Sequence, residues 1–207
     1  MRRPHNSSKL DTFKWARWFH RHGDFSHDYG MAHVQEDRQA YAGIVTVRMH
    51  DEILPWLHIG RVPVHGPDMR YIKEAGFGAV LDLCGDNPAE GRLAKLNGIE
   101  FLYEHVVDGT CPSLEQFRKL VNWISQQREA GRKVYVHCHA GMGRAPTVVI
   151  AFLVMMGVSL SSAIRTVLTR RRRTEVSRAQ FVGLAQFDRV VRFNRREGDY
   201  KDTEGML

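Results

Sequence analysis

A cysteine and an arginine with two glycines between them, Cys138 and Arg144, are the residues of this chain best spaced for chemistry. The apolar run of residues 134–136 predicts a buried strand that leads into the cysteine. The apolar run of residues 148–156 predicts a buried helix that follows the arginine. The pattern therefore predicts a strand, a tight loop and a helix, with a potential nucleophile at the start of the loop and a cation at its end.

This loop has the features of an anion-binding site. Unpaired N–H groups at the start of a helix point toward a bound anion, and the helix dipole adds partial positive charge. The glycines permit the torsions and the close approach that such a backbone nest requires. The guanidinium of Arg144 can bind two phosphate oxygens at once. The predicted phosphate-binding residues are His139, Ala140, Gly141, Met142, Gly143 and Arg144.

The same positive field favours the thiolate form of Cys138. A free cysteine has a pKa of about 8.5, and a helix N-terminus with neighbouring cations lowers it by roughly one to several units. We therefore expect an ionised Cys138 that attacks phosphorus and forms a cysteinyl-phosphate. Arginine and loop amides supply the positive field for this step, so we expect neither a metal nor a cofactor.

Residues 137–144 read His-Cys-His-Ala-Gly-Met-Gly-Arg and match the HCxxGxxR signature of the cysteine-dependent protein tyrosine and dual-specificity phosphatases. The wider pattern of residues 53–187 resembles their compact dual-specificity-type domain. The resemblance implies phosphatase activity, with His137 in a supporting role.

One position departs from the family pattern. Ser or Thr usually follows the arginine, and its hydroxyl stabilises the departing thiolate, whereas this chain has Ala145. Plant glucan phosphatases resemble this loop in having Ala-Pro here. Thr147 is the candidate replacement for the missing hydroxyl.

Asp108 is the predicted proton donor for the leaving oxygen. It follows the strand pattern of residues 100–107 and therefore lies at the same carboxyl edge of the sheet as Cys138. It precedes Cys138 by thirty residues, and the resemblance implies a general-acid aspartate at this distance, on a mobile loop. Asp86, at the end of another strand pattern, is the fallback.

Alternating strand and helix patterns surround these residues and predict an α/β fold with a mostly parallel central sheet flanked by helices. The resemblance implies the dual-specificity phosphatase arrangement of these layers. Besides the strand before Cys138, strands are predicted at residues 53–60, 77–83 and 100–107. Besides the helix after Arg144, helices are predicted at residues 68–75, 88–96, 114–130, 160–173 and 177–195.

Three segments are predicted: an N-terminal extension at residues 1–43, a phosphatase domain at 44–196 and a C-terminal tail at 197–207. The extension contains a helix pattern rich in aromatic and basic residues. This helix either packs its aromatic side chains onto the domain or lies on an anionic membrane through residues 9–21. An organellar transit peptide is a third interpretation.

Composition limits the location and the partners. A net charge of +7 favours acidic partners. Because residues 139–144 are predicted to bind phosphate, we expect a phosphorylated substrate rather than nucleic acid. Three cysteines do not make a disulfide framework and fit a reducing compartment. We expect a cytoplasmic monomer, with a peripheral membrane or organellar location as the alternatives.

The substrate class stays open at this level. A phosphoprotein is the first expectation, and a phospholipid or phosphoinositide head group is the alternative. A phosphoglucan is disfavoured because the segment after Asp108 lacks bulky aromatic residues. A rhodanese-like sulfurtransferase and a non-catalytic phosphate-binding module are alternatives of other classes.

Two further features have competing interpretations. Cys84 ends a strand pattern and either forms a reversible disulfide with Cys138 or is a small buried thiol. The arginine run of residues 170–173 is interpreted as a solvated helix end rather than a phosphate clamp.

Overall fold

The computed structural model describes residues 49–63 and 66–196. The predicted extension at 1–43, including the membrane-contact segment 9–21, and the tail at 197–207 lie outside these residues. The strands are β1 (His50–Leu54), β2 (Leu57–Arg61), β3 (Phe77–Asp82), β4 (Glu100–Tyr103) and β5 (Lys133–Cys138). The helices are α1 (Gly66–Glu74), α2 (Glu90–Leu96), α3 (Leu114–Glu129), α4 (Arg144–Met155), α5 (Leu160–Arg170) and α6 (Arg178–Arg196).

The strands form one sheet in the order β1-β2-β5-β3-β4. β5 pairs in parallel with β2 and β3, and β3 pairs in parallel with β4, whereas β1 is antiparallel to β2. The predicted α/β fold with a mostly parallel sheet is therefore confirmed. Within the described residues, no helix has both the length and the apolar content needed to cross a membrane.

The prediction of one strand at residues 53–60 was wrong. The segment forms a hairpin, in which Leu54 pairs with Leu57 and the chain turns at Pro55 and Trp56. Proline has no N–H group for a strand ladder and fixes its own φ, so a turn is the favoured outcome at this position.

β4 is shorter than the predicted strand at residues 100–107. It ends at Tyr103, although two backbone bonds continue its course, from Glu104 N to Asp82 O and from Val106 N to Leu83 O. The neighbouring strand β3 ends at Asp82, whose carboxylate accepts hydrogen bonds from the following backbone amides and turns the chain. β4 therefore ends opposite the end of β3, and the segment that leads to Asp108 begins there.

The centre of the sheet positions the loop after Cys138. All twelve residues of α4 are buried, which explains why the sequence of this helix is apolar on every side. Tyr135 of β5 is also buried, and its hydroxyl donates to Arg61 O at 2.7 Å. A side chain at Gly60 would lie 2.1 Å from that hydroxyl, so glycine lets β2 and β5 come together beside the loop.

Candidate active site

Cys138 and Arg144 lie at opposite ends of one tight loop. Cys138 is the last residue of β5 and is 3% exposed. Arg144 is the first residue of α4, and Gly143 precedes it without a side-chain cap. The N-terminal amides of α4 are thus left for another acceptor, as at helix ends that bind anions. We call residues 139–144 the phosphate loop.

The first five of the six carbonyl groups of the phosphate loop are bound by groups outside it. Each carbonyl of residues 139–143 accepts a hydrogen bond from a group outside the loop. In loop order, the donors are Val62 N, Arg171 Nη2, Arg171 Nε, Glu175 N and Thr147 N, at 2.9, 3.0, 2.6, 2.8 and 3.0 Å.

The amide groups of the same residues are not used in this way. In the described part of the chain, no acceptor takes a hydrogen bond from the backbone amides of residues 139–143. A backbone anion nest requires that the carbonyl groups of a loop bind groups outside it while its amide groups remain available for the anion. The loop can therefore hold an oxyanion through several N–H groups at once.

The two glycines of the loop differ in their φ angles and in the space around their Cα atoms. Gly141 has a φ of +68°, and a Cβ built on it would lie 2.2 Å from Gly60 O. Gly143 has a φ of −114°, which any residue adopts, and its nearest neighbour would be Gln180 Nε2 at 3.3 Å. The predicted need for special torsions therefore holds at Gly141 and was wrong for Gly143.

Arg171 holds the loop from within the domain. Its guanidinium is 1% exposed and binds Ala140 O, Gly141 O and Ile59 O, and it pairs with Asp51 Oδ2 at 2.5 Å. Burial lowers the pKa of this guanidinium, and Asp51 opposes that shift. The prediction that residues 170–173 are a solvated helix end was therefore wrong for Arg171.

A periodic signal in the sequence singles out this arginine. Ala163, Val167 and Arg171 follow one another at intervals of four residues, and all three are buried. Side chains at this spacing lie on one face of a helix. The phase of the apolar face of α5 could therefore have distinguished Arg171 from its three neighbours.

Asp108, the predicted acid, lies beside the guanidinium of Arg144. Its carboxylate is 85% exposed, and its Oδ1 forms an ion pair with Arg144 Nε at 3.1 Å without a hydrogen bond. Arg144 also donates from Nη1 to Val106 O at 3.1 Å. The guanidinium that closes the phosphate loop thus contacts the segment that carries Asp108.

The segment after Asp108, residues 109–113, is hydrogen-bonded to the start of α6. Gln180 Nε2 donates to Thr110 O at 3.1 Å, and Ser177 Oγ donates to Gly109 O at 2.9 Å. Gln180 is buried, and its amide is also the nearest group to Gly143. Sequence reasoning missed this residue, because the link between α6 and the two loops exists only in the folded chain.

Asp86, the fallback acid, pairs with His139 of the phosphate loop. His139 Nδ1 and Asp86 Oδ2 are 2.7 Å apart at the protein surface. The hydrogen bond from His139 lowers the pKa of Asp86 below its ordinary value. A carboxyl group with a lowered pKa is ionised at neutral pH and is poorly suited to give up a proton. Asp108 therefore remains the better-placed candidate.

His137 is enclosed beneath the loop, with a carboxyl group on each side. Its Nε2 lies 2.8 Å from Glu90 Oε1, and its Nδ1 lies 3.9 Å from Asp82 Oδ1. Burial raises the pKa of Glu90, while the hydrogen bond with His137 opposes the shift. Glu90 lies far from His137 in sequence, and no local pattern predicted their contact.

The remaining predicted residues have defined surroundings. Thr147 Oγ1 donates to Gly143 O at 2.8 Å, so its proton is not available to the Cys138 sulfur in this arrangement. Cys84 and Cys138 are both buried free thiols, and burial raises the pKa of Cys84. The predicted reversible disulfide between them stays a prediction.

The family model described as "Dual specificity phosphatase, catalytic domain" matches residues 58–189, which include the phosphate loop and Asp108. The chain belongs to the dual specificity phosphatase family. This family comprises cysteine-dependent phosphatases, as the HCxxGxxR signature predicted, and its model spans more than half of the chain.

Curated relatives of this dual specificity phosphatase domain have two kinds of name. "Dual specificity protein phosphatase 12" of Rattus norvegicus is 38% identical over 49% of this chain and 30% of its own length. "Phosphatidylglycerophosphate phosphatase PTPMT2" of Arabidopsis thaliana is 30% identical over 69% of this chain and 64% of its own length. The chain thus spans less than two thirds of the length of either relative.

Solved structures share the same fold. A crystal structure of Tk-PTP in the active form has a TM-score of 0.65 and 27% identity, and covers 69% of this chain and 98% of that chain. A crystal structure of PTPMT1 has a TM-score of 0.66 and 22% identity, and covers 72% of this chain and 99% of that chain.

Replacing Gly141 by alanine tests the geometry of the loop. We expect Gly141→Ala to lower the affinity for inorganic phosphate and to reduce kcat/KM for p-nitrophenyl phosphate by about a hundredfold, because the displaced backbone no longer presents its amides together. Titration with phosphate and steady-state kinetics measure the two effects.

Gly98→Ala is the matched control. Gly98 has a φ of +67°, nearly that of Gly141, but a Cβ there meets no atom within 4 Å. Both variants incur the left-handed backbone cost, about 1–2 kcal/mol, and only Gly141→Ala adds the collision with Gly60. Equal kcat/KM values for the two variants would contradict this account of the loop.

Proposed function

We propose that this chain hydrolyses phosphoric monoesters by two displacements through Cys138. The observation that carries the proposal is the loop between Cys138 and Arg144, whose carbonyls are bound outward while its amides are left for an anion. Family membership supports phosphatase chemistry over the sulfurtransferase alternative. A loop that only bound phosphate would need no acid, whereas Asp108 stands beside Arg144.

The first displacement transfers the phosphoryl group to the enzyme. The Cys138 sulfur forms a bond to phosphorus as the bond between phosphorus and the leaving oxygen breaks. Arg144 and the amides of the phosphate loop hold the equatorial oxygens, which carry the charge of the transition state. Asp108 gives its proton to the leaving oxygen, because an alkoxide or phenoxide leaves slowly without one.

The second displacement returns the enzyme to its starting state. A water molecule attacks phosphorus, its proton passes to Asp108, and the bond between sulfur and phosphorus breaks to give phosphate and the thiolate. Ala145 offers no hydroxyl to the departing thiolate, and the hydroxyl of Thr147 is committed to Gly143 O. Hydrolysis of the cysteinyl-phosphate is therefore the step we expect to limit turnover.

A phosphoprotein is the substrate class that we favour. The Asp86 carboxylate, which pairs with His139, stands beside the phosphate loop. With its lowered pKa, Asp86 adds a negative charge there. Negative charge beside the loop disfavours ligands that carry several phosphates close together, such as phosphoinositide head groups. A single phosphate on a protein side chain avoids most of this repulsion.

Phosphatidylglycerophosphate-type lipids are the second candidate. The specific observation in their favour is the extent of similarity: the phosphatidylglycerophosphate phosphatases of Arabidopsis thaliana align over 69% and 71% of this chain, whereas the rat protein phosphatase aligns over 49%. The head group of such a lipid carries a phosphodiester beside its phosphate monoester, so the negative charge of Asp86 disfavours it more than a single phosphate on a protein side chain.

A substrate panel separates the two candidates. We expect kcat/KM for phosphotyrosine and phosphothreonine peptides to exceed that for phosphatidylglycerophosphate in vesicles, phosphoinositides and phosphoglucan. A preference for phosphatidylglycerophosphate would establish the lipid candidate instead. The Cys138→Ser variant, assayed in parallel, identifies any contaminating activity.

Replacing Asp108 by asparagine tests the assignment of the acid. We expect Asp108→Asn to slow the first displacement by about a hundredfold or more for an alkyl phosphate, in line with the usual contribution of a general acid. The loss in the first displacement should be smaller for p-nitrophenyl phosphate, whose leaving group departs without a proton. Single-turnover kinetics with both substrates measure this difference.

Asp86→Asn is the comparison variant. Because the pKa of Asp86 is lowered by His139, this carboxyl group is not expected to act as the acid, and its loss should show no dependence on the leaving group. A leaving-group dependence in Asp86→Asn together with its absence in Asp108→Asn would overturn the assignment.

A further inference from the structure

Three potential metal ligands meet behind the phosphate loop, apart from the groups that the proposed reaction uses. Asp82 ends β3, Cys84 follows it by two residues, and His137 precedes Cys138 on the neighbouring strand β5. One ligand atom from each side chain lies within 4.8 Å of the other two, and all three side chains are buried.

Within the described part of the chain, His137 is oriented with one ring nitrogen bound and the other free to coordinate a metal. Its Nε2 lies 2.8 Å from Glu90 Oε1, while its Nδ1 has no hydrogen-bond partner in the described structure, although the side chain is 0% exposed. A carboxylate that accepts the Nε2 proton leaves a lone pair on Nδ1. Metal-binding histidines are commonly held by a carboxylate in this way. The uncommitted Nδ1 is on the side of His137 that faces Asp82.

Charge also favours a cation at this position. Asp82 and Glu90 are both buried beside His137. A buried polar atom without a partner among the described residues, such as His137 Nδ1, lowers the stability of the fold. Asp82 Oδ1 accepts hydrogen bonds from Cys84 N at 2.8 Å and Gly85 N at 2.9 Å, which fix the carboxylate in place. A divalent ion would satisfy Nδ1 and balance the negative charge.

We propose that Asp82, Cys84 and His137 bind a divalent transition-metal ion, with Zn²⁺ as the best chemical match, immediately behind the nucleophile. Carboxylate oxygen, thiolate sulfur and imidazole nitrogen are the ligand types that zinc takes in proteins, at about 2.0–2.3 Å each. At the tetrahedral angle two such bonds span roughly 3.3–3.7 Å, so ligand atoms that now lie up to 4.8 Å apart must approach one another by about 1 Å when the ion binds.

Binding proceeds with loss of one proton. The bond between Cys84 Sγ and the metal forms as the thiol releases its proton to solvent, because the thiolate is the form that coordinates. The ion then joins β3 and β5, whose ends are already linked by the bond from Leu83 N to His137 O. No metal was predicted from the sequence, because arginine and the loop amides supply the positive field for the reaction and these three ligands form no local spacing motif.

Equilibrium dialysis of the full chain against Zn²⁺, with a phosphine reductant, tests the proposal. We expect about one ion per chain in the wild type, with affinity reduced by about a hundredfold or more in Cys84→Ala and Asp82→Asn, since removing a ligand costs at least as much as removing an outer-shell partner. Cys111→Ala and Cys138→Ser are the matched controls and should retain the ion.

A cobalt experiment on a double variant covers the case in which Cys84→Ala fails to fold. The chain has three cysteines, so Cys111→Ala with Cys138→Ser leaves Cys84 as the only thiol. Co²⁺ added to this variant should give a thiolate-to-cobalt charge-transfer band that Zn²⁺ removes. Absence of the band, loss of zinc by Cys138→Ser alone, or no tight zinc binding by the wild type would overturn the proposal. None of these results depends on whether the proposed hydrolysis occurs.

Discussion

The site depends on a constraint of the peptide backbone: a loop that points its amides at one ligand must send its carbonyls elsewhere. In residues 139–143 all five carbonyls accept hydrogen bonds from groups outside the loop, and Arg171 supplies the bonds to Ala140 and Gly141. A buried carbonyl without a hydrogen bond raises the free energy of the folded state, so these bonds stabilise a conformation that the loop would not otherwise hold. The conformation of the anion site is thus stabilised by groups that bind the loop carbonyls and do not contact the anion.

The same principle links the phosphate loop to the proposed acid. Arg144 closes the loop and binds Val106 O, so the guanidinium that faces the ligand also contacts the segment that leads to Asp108. Gln180 and Ser177 fasten the residues after Asp108 to α6. The proposed acid therefore lies on an exposed segment that is tied at both ends, which fits a group that must reach a leaving oxygen and later a water molecule.

Local patterns predicted the parts of the site that adjoin one another in sequence. Cys138 and Arg144 are separated by a single loop, so residue spacing and the strand–helix context defined their relationship, and the apolar run of α4 fixed the helix. Asp108 was also predicted, because the carboxyl ends of parallel strands meet at one edge of the sheet.

The supporting contacts could not be derived in the same way. Glu90 against His137, and Gln180 against the segment after Asp108, join residues that lie far apart in the chain and meet only through the packing of helices on the sheet. Arg171 is an intermediate case. Its place on the buried face of α5 was visible in the sequence, but its hydrogen bonds to the carbonyls of Ala140 and Gly141 were not.

The central claim is that phosphate passes through the sulfur of Cys138. Rapid acid quenching during turnover of a ³²P-labelled phosphomonoester, followed by peptide mapping, tests it most directly. The account predicts a labelled cysteinyl-phosphate at Cys138 that is absent from Cys138→Ser. Undiminished hydrolysis by Cys138→Ser, or turnover with the label on another residue, would contradict it.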